Sequence, residues 1–252
     1  MVEGFVYVAD DSPGPMRYAR VGERVRLPSA EPPWIVVDHS VHRVLVVRWP
    51  GRLFRVASVP PADDEERAAL ARAAANLRAD AGYTRAIAVD ILAELPAATL
   101  FGPHGAAVVE LLAYADQLAE PAARDLAAAR HPEADRAYDR AWRRWLAGQP
   151  NGAAYRDGDQ AGVLAVPGAG SVGSPIGHGL TVLWRRVAET ARRVAGPAAF
   201  EVDEDGDEVL LDPWSTAAAA LLDAALALGA PELVDAADAD RLASAWRTVG
   251  GR

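Results

Sequence analysis

The composition of the chain changes abruptly at Pro60-Pro61, and this change constrains the fold more than any other feature. Before it, short runs rich in valine, aromatic residues and arginine are typical of β-strands. After it, alanine, leucine, arginine and glutamate dominate, and the acids of residues 63–66 fall where a first helical turn would lie. The sequence therefore predicts an α+β fold, with a small N-terminal antiparallel β unit over residues 1–60 and a larger, mainly helical region over residues 61–252. One compact domain overall is the alternative.

Turn signals divide the N-terminal part into predicted strands. The strand-like runs are FVYVAD, RYARVGERVRLP, WIVVD, HRVLVVRW and RLFRVASV. Pro50-Gly51 predicts a tight hairpin that joins residues 44–49 to residues 52–59. We expect a small meander or a barrel-like sheet with an edge that a partner can use.

The remainder is punctuated by proline and glycine, which set the limits of the predicted helices. These helices span residues 63–80, 84–95, 104–119, 121–130, 133–147, 180–195, 213–228 and 235–247. One late strand is predicted at AGVLAVP, residues 161–167. An acidic β-hairpin is predicted from AAFEV and EVLLD, with Asp205-Gly206 as its two-residue turn.

Composition excludes several classes of function. The chain has 252 residues, a net charge of −9 and no cysteine, and all 26 basic residues are arginine. An acidic chain is a poor general partner for nucleic acid, and without cysteine or lysine it has no thiolate chemistry, Schiff base or P-loop lysine. No uninterrupted apolar run approaches about 18 residues, and no N-terminal signal is recognisable, so we expect a cytoplasmic protein that does not enter membranes.

A glycine motif between the late strand and the next helix is the candidate ligand site. The stretch PGAGSVGSPIGHG matches G-x-G-x-x-G, a pattern whose backbone N–H groups cradle phosphates at a helix N-terminus. Its candidate ligand-binding residues are Gly168, Gly170, Ser171, Gly173, Ser174 and His178. Pro175 and two later glycines delay the predicted helix, and no acid follows at the spacing of a dinucleotide site. A strand-to-helix connection is therefore the favoured interpretation, with His178 as the alternative catalytic residue.

Neither a metal site nor a cofactor is predicted. His39 and His42 form H-x-x-H between predicted strands, where no third ligand is identifiable. The acids of DEDGDE fail the calcium-loop spacing. Asp90 and Glu94 stand one turn apart on a predicted helix, but no Glu-x-x-His motif accompanies them.

Two features predict a protein-binding surface. Tyr138, Trp142 and Trp145 share one face of a predicted helix, which indicates either core packing or a partner surface. The predicted hairpin tip adds an acidic patch, with Asp203, Asp205 and Asp207 as candidate partner-binding residues. Trp184-Arg185-Arg186 and Trp246-Arg247 repeat the combination of tryptophan and arginine.

No set of nucleophile, base and orienting group can be assembled from these residues. The leading hypothesis is a cytoplasmic, non-enzymatic protein-binding or regulatory protein, such as an adaptor, an accessory protein or an immunity-type inhibitor, with a protein partner. A homo-oligomer is the structural alternative. The competing hypothesis is a small enzyme or sensor that binds a nucleotide or another anionic small molecule at the loop Gly168 to His178.

Overall fold

A computed structural model of the chain describes residues 1–74, 82–147 and 175–250. Within these ranges the chain forms two compact units. The sheet unit contains the described residues up to Leu100, and the helical unit contains those from Phe101 onward. The predicted α+β class is confirmed, with an antiparallel sheet in the N-terminal part and helices in the rest.

The sheet unit is built on six antiparallel strands. They are β1 (Glu3–Ala9), β2 (Arg24–Arg26), β3 (Ile35–Asp38), β4 (Gly51–Ser58), β5 (Tyr83–Ala86) and β6 (Ala88–Leu95). Their order across the sheet is β2-β6-β4-β1-β3-β5. One helix, α1 (Asp64–Ala74), and a 3-10 turn at Pro15–Tyr18 accompany them.

Successive side chains of each strand point to opposite faces of the sheet, and those on one face form a core. Val6 of β1 stands opposite Phe54 of β4, and both are buried. The 3-10 turn contributes Met16 to the same cluster. Gly4 is required where β1 passes β3, because a Cβ atom there would lie 2.3 Å from the carbonyl oxygen of Asp38.

Several predictions for the sheet unit are wrong. Residues 84–95 form β5 and β6 instead of a helix, because they pair with strands β3, β2 and β4 that their own sequence does not indicate. The predicted hairpin at Pro50-Gly51 is absent from the described residues, because β4 pairs with β1 and β6 while residues 44–47 join no strand. The two compact units separate after Leu100. Only Arg24–Arg26 of the predicted second run is a strand.

The helical unit contains seven helices in the described residues. They are α2 (Gly105–Asp116), α3 (Glu120–Ala129), α4 (Ala134–Ala147), α5 (Pro175–Ala195), α6 (Trp214–Gly229), α7 (Ala236–Leu242) and α8 (Ser244–Val249). Helix α6 is buried around most of its circumference and packs against α2, α3, α5, α7 and α8. Such all-round burial follows from its alanine and leucine content.

A small hairpin, β7 (Phe200–Val202) and β8 (Glu208–Leu210), follows α5, as predicted. Helix α5 begins at Pro175 instead of residue 180, because proline is well accommodated at the first position of a helix. The predicted last helix is interrupted at Ala243 and forms α7 and α8. The predicted late strand at residues 161–167 lies outside the described residues. Among the helices of the described ranges, none combines the length and apolar character that a membrane crossing needs.

Candidate functional site

An open groove of about 750 Å³ lies between α5 and the β7–β8 hairpin of the helical unit. Five of its lining residues come from α5 and two come from the hairpin. The lining residues are Trp184, Arg185, Ala188, Glu189, Arg192, Phe200 and Glu208. The groove therefore combines aromatic, arginine and small side chains, and protein-binding surfaces are enriched in the first two.

Helical periodicity explains why one side of α5 lines the groove. The buried stripe of the helix consists of Leu183, Val187 and Ala191. Trp184, Ala188 and Arg192 each follow a member of that stripe by one position, so they form a second stripe beside it. Burial of the first stripe thus determines which side chains of α5 face the hairpin.

The geometry of the hairpin follows from a three-residue turn at residues 204–206, instead of the predicted two-residue turn. The N–H of Gly206 donates to the carbonyl of Asp203 at 3.1 Å, and the N–H of Asp203 donates to the carbonyl of Asp207 at 2.9 Å. Gly206 has a φ of 86°, in the left-handed region that glycine tolerates. The resulting register places Phe200 and Glu208 on the same face of the hairpin, towards the groove.

Arg192 connects the helix to the hairpin. Its guanidinium lies 4.1 Å from the centroid of the Phe200 ring, within the range of a cation–π interaction. It also forms an ion pair with Glu208. The positive charge of Arg192 is therefore compensated by the hairpin.

Arg185 carries a charge that the described residues leave uncompensated. The other carboxylate of the groove, Glu189, accepts a hydrogen bond from Arg186 at 2.9 Å, and Arg186 also pairs with Asp116. Arg185 is partly buried in the groove, and within the described ranges it has neither an ion pair nor a side-chain hydrogen bond. The groove thus offers one guanidinium that can bind an anionic group from outside.

Exposed apolar surface accompanies this charge. Trp184 is 38 % exposed although a tryptophan side chain gains strongly from burial. Val202 of the hairpin is exposed by 67 %. An indole at the groove with polar residues around it has the composition of an interface anchor.

The predicted acidic partner residues are exposed at the tip of this hairpin. The carboxylate of Asp203 accepts the backbone N–H groups of Asp205 at 3.0 Å and Asp207 at 2.9 Å, so part of its hydrogen-bonding capacity stabilises the turn. Asp205 and Asp207 have exposed side chains at the same end of the hairpin. They remain available to a basic group of a partner.

The aromatic residues of the predicted face on α4 are buried or partly buried. Trp145 is buried, and its ring lies 5.0 Å from that of Trp142. Tyr138 is partly buried, and this burial, together with the charge of Asp223, raises the pKa of its hydroxyl above the usual range. These three residues are not among those that line the groove.

The glycine motif lies largely outside the described residues. Five of its candidate residues, Gly168, Gly170, Ser171, Gly173 and Ser174, lie outside the described residues. The backbone of His178 belongs to the first turn of α5. Binding of an anionic small molecule there stays a prediction.

The sheet unit holds a second titratable cluster near the end of β3. Partial burial raises the pKa of Asp38 to about 7, and the nearby charge of Arg43 opposes this shift. The Nε2 atom of His39 lies 2.7 Å from the Thr84 hydroxyl. Across the described ranges, no group of three metal-ligating side chains is present.

Sequence reasoning found only part of the groove. The tryptophan-arginine combination at Trp184 and Arg185 was visible, but Phe200 and Glu208 were not connected to it, because their position depends on how the hairpin packs on α5. The repeat of Trp184, Ala188 and Arg192 at helical spacing was the signal that could have indicated this face. Comparisons with protein-family models, curated proteins and solved structures found no match to this chain.

Proposed function

We propose that this chain is a cytoplasmic, non-enzymatic regulatory protein that binds a segment of another protein in the groove between α5 and the β7–β8 hairpin. The observation that carries the proposal is Arg185, a partly buried guanidinium without a partner in the described residues, next to the exposed indole of Trp184. Tryptophan and arginine are the residues that most often dominate binding energy at interfaces.

The charges of the groove favour a particular kind of segment. Arg192 is engaged by Glu208, and Glu189 is engaged by Arg186, so among the described lining residues Arg185 alone supplies an uncompensated charge. A partner carboxylate fits this guanidinium, because arginine binds carboxylates through two parallel hydrogen bonds. An apolar or aromatic side chain close to that carboxylate would then cover Trp184. We therefore expect an extended segment with an aspartate or glutamate beside an apolar residue.

The lining residues support binding more than catalysis. The two carboxylates of the groove, Glu189 and Glu208, both pair with arginine side chains of α5, so neither is free to act on a substrate. The side chains that line the groove offer contact area and charge, and their arrangement suits recognition.

The experiment starts with a crosslink and ends with a measured affinity. A photo-reactive residue replaces Ala188 in the groove, the full chain is expressed in its native host, and the crosslinked peptide is identified by mass spectrometry. The identified protein is then purified and titrated against the wild-type chain and two variants, Arg185→Glu and Trp184→Ala. We expect each variant to weaken binding by about 10- to 100-fold, as removal of an interface anchor does.

Matched controls lie outside the groove on the same unit. Arg143→Glu changes an exposed arginine of α4, and Val194→Ala changes an exposed apolar residue of α5, and both should leave the affinity unchanged. A crosslinked peptide without a carboxylate next to an apolar residue would refute the expected chemistry of the segment. Equal affinities for the wild type, Arg185→Glu and Trp184→Ala would refute the groove as the binding surface.

A further inference from the structure

The β7–β8 hairpin of the helical unit has two strands in the described residues, so each strand has one edge without a strand partner there. The N–H of Asp203 donates to the carbonyl of Asp207 at 2.9 Å, so the backbone groups of residue 203 point towards the opposite strand. Successive residues of an antiparallel strand point their backbone groups to opposite sides. On β7, the backbone groups of Phe200 and Val202 therefore point outward.

The outward groups of Val202 are free. The N–H of Phe200 already donates to the carbonyl of Pro197. Val202, by contrast, forms no backbone hydrogen bond with any described residue outside the hairpin, and its side chain is 67 % exposed. On β8, the outward residue Leu210 is buried. The donor and the acceptor of Val202 are therefore the outward groups that another strand can reach most easily.

The β7 edge borders the groove of the helical unit. Phe200, the second outward residue of β7, is one of the lining residues. Phe200 and Glu208 lie on the face of the hairpin that contacts Arg192 of α5. A strand added beside β7, at about 4.8 Å, would continue this face, and half of its side chains would point towards α5. The guanidinium of Arg185 and the exposed indole of Trp184 line that side of the groove.

We propose that the partner segment binds as a third strand of the hairpin, with its backbone paired to β7 at Val202. This inference rests on the proposed function, because it concerns the same segment in the same groove, and it adds how the backbone of the segment is held. Hydrogen bonds to a sheet edge supply affinity, and alternate side chains supply specificity. A third strand also stabilises a hairpin, since two strands alone are only marginally stable.

The charges around the edge determine where the carboxylate of the segment lies. Arg185 attracts a carboxylate, because within the described ranges it has no ion pair of its own. Glu201 and Asp203 flank Val202 and would repel a carboxylate placed opposite it. An apolar residue opposite Val202 forms a favourable cross-strand pair with this β-branched side chain. The segment therefore places an apolar residue at the edge and its carboxylate on the side that faces α5.

Methylation of a peptide backbone separates strand pairing from side-chain contacts. The probe is a short capped peptide in which threonine alternates with valine, aspartate, leucine and valine, so the carboxylate and the apolar groups share one face. One variant peptide is N-methylated at the threonines and another at the remaining residues. Only alternate N–H groups of an added strand point to the edge. Calorimetric titration of the full chain should show one variant binding about tenfold more weakly and the other binding like the parent peptide.

Two substitutions at Val202 give the matched test on the chain. Val202→Pro removes the backbone donor, whereas Val202→Ala shortens the side chain and keeps the donor. Proline is tolerated on an edge strand where the N–H faces outward, and circular dichroism checks that the fold is retained. We expect Val202→Pro to bind the parent peptide about tenfold more weakly than Val202→Ala does. In the wild-type chain, hydrogen exchange at the Val202 amide should slow when the peptide is added.

The outcomes distinguish the added strand from the groove itself. Equal binding by Val202→Pro and Val202→Ala, or equal losses in the two methylated peptides, would overturn the added strand, and the groove would stand if Arg185→Glu still weakens the peptide. A loss in Val202→Pro without a loss in Arg185→Glu would support the added strand and contradict the chemistry proposed for the groove. A peptide that shows no saturable binding at millimolar concentration would overturn the added strand, while the crosslink at Ala188 tests the groove separately.

Discussion

The two units of the chain use the same chemical pair, arginine with a carboxylate, in opposite environments. In the sheet unit, Glu94 of β6 pairs with Arg52 at 2.6 Å on the exposed surface of the strands. In the helical unit, Asp223 lies in the middle of the buried helix α6, and the Nε atom of Arg130 donates to it at 2.8 Å. Exposed ion pairs add little to stability, whereas a buried carboxylate that loses its ion-pair partner strongly destabilises the fold. The comparison shows that arginine offsets part of the cost of a buried carboxylate in one unit and pairs with an exposed carboxylate in the other.

The largest effect should follow from removing Arg130. Arg130→Met leaves the carboxylate of Asp223 buried without its ion pair, so we expect the free energy of unfolding at neutral pH to fall by about 3–5 kcal/mol. Urea titration followed by circular dichroism measures this change. Arg140→Met should cost less, because Asp238 would still accept a hydrogen bond from Arg241 at 2.8 Å.

A second substitution separates the buried charge from the packing of Arg130. Adding Asp223→Asn to Arg130→Met removes the buried charge that has lost its ion-pair partner. The double variant should therefore recover more than half of the lost free energy of unfolding. No recovery in the double variant would mean that the contacts of the Arg130 side chain, and not the charge of Asp223, determine the loss.

The second prediction concerns pH. Burial raises the pKa of Asp223 to about 6 from a usual value of 3.8, and its hydrogen bond to Arg130 only partly opposes this. A folded-state pKa above the unfolded value means that the folded chain binds the proton more tightly. The contribution of protonated Asp223 to the free energy of unfolding is therefore complete below pH 3.8 and is lost as the pH rises through about 6. The size of the shift corresponds to at most about 3 kcal/mol.

The measurement compares the wild type with Asp223→Asn between these two pH values. The difference between their unfolding free energies should fall as the pH rises across this window and should be constant above it. The pH dependence that Asp238 contributes has the opposite sign. Its hydrogen bonds with Arg140 and Arg241 lower its pKa to about 2. The stability that ionised Asp238 contributes is therefore lost only as the pH falls towards that value. Parallel pH profiles for the wild type and Asp223→Asn would contradict the prediction.

The two units also differ in how well the sequence predicted them. Most helices of the helical unit were predicted within a few residues, because apolar periodicity and proline or glycine limits are local signals. In the sheet unit, Asp90 and Glu94 were placed on a helix and lie on β6, where they pair with Arg24 and Arg52. Strand pairing is non-local, because the partners of a strand lie far away in the sequence. The local sequence of β6, which contains alanine, leucine and glutamate, therefore predicts a helix.

The groove shows the same limit at the level of the site. Local sequence indicated Trp184 and Arg185 on one side and an acidic hairpin on the other, and both features are present. Their combination depends on the packing of Phe200 and Glu208 against Arg192, which no local pattern encodes.

The smallest effect should come from the exposed pair of the sheet unit. Glu94→Gln removes the charge that pairs with Arg52 while keeping the shape of the side chain, and Arg52 retains its hydrogen bond to the carbonyl of Ala19 at 3.0 Å. We expect a loss of less than about 1 kcal/mol, because water and salt screen both groups and the long side chains lose entropy when they pair.

Salt makes this small effect measurable. Urea titration at low and at high salt should show the loss shrinking as the salt concentration rises, since exposed charges are screened over a few ångströms in concentrated salt. The loss in Arg130→Met should change little over the same range, because the Asp223 carboxylate is buried away from ions. If both losses respond to salt equally, the interior of the helical unit admits ions, and the contrast between the two environments fails.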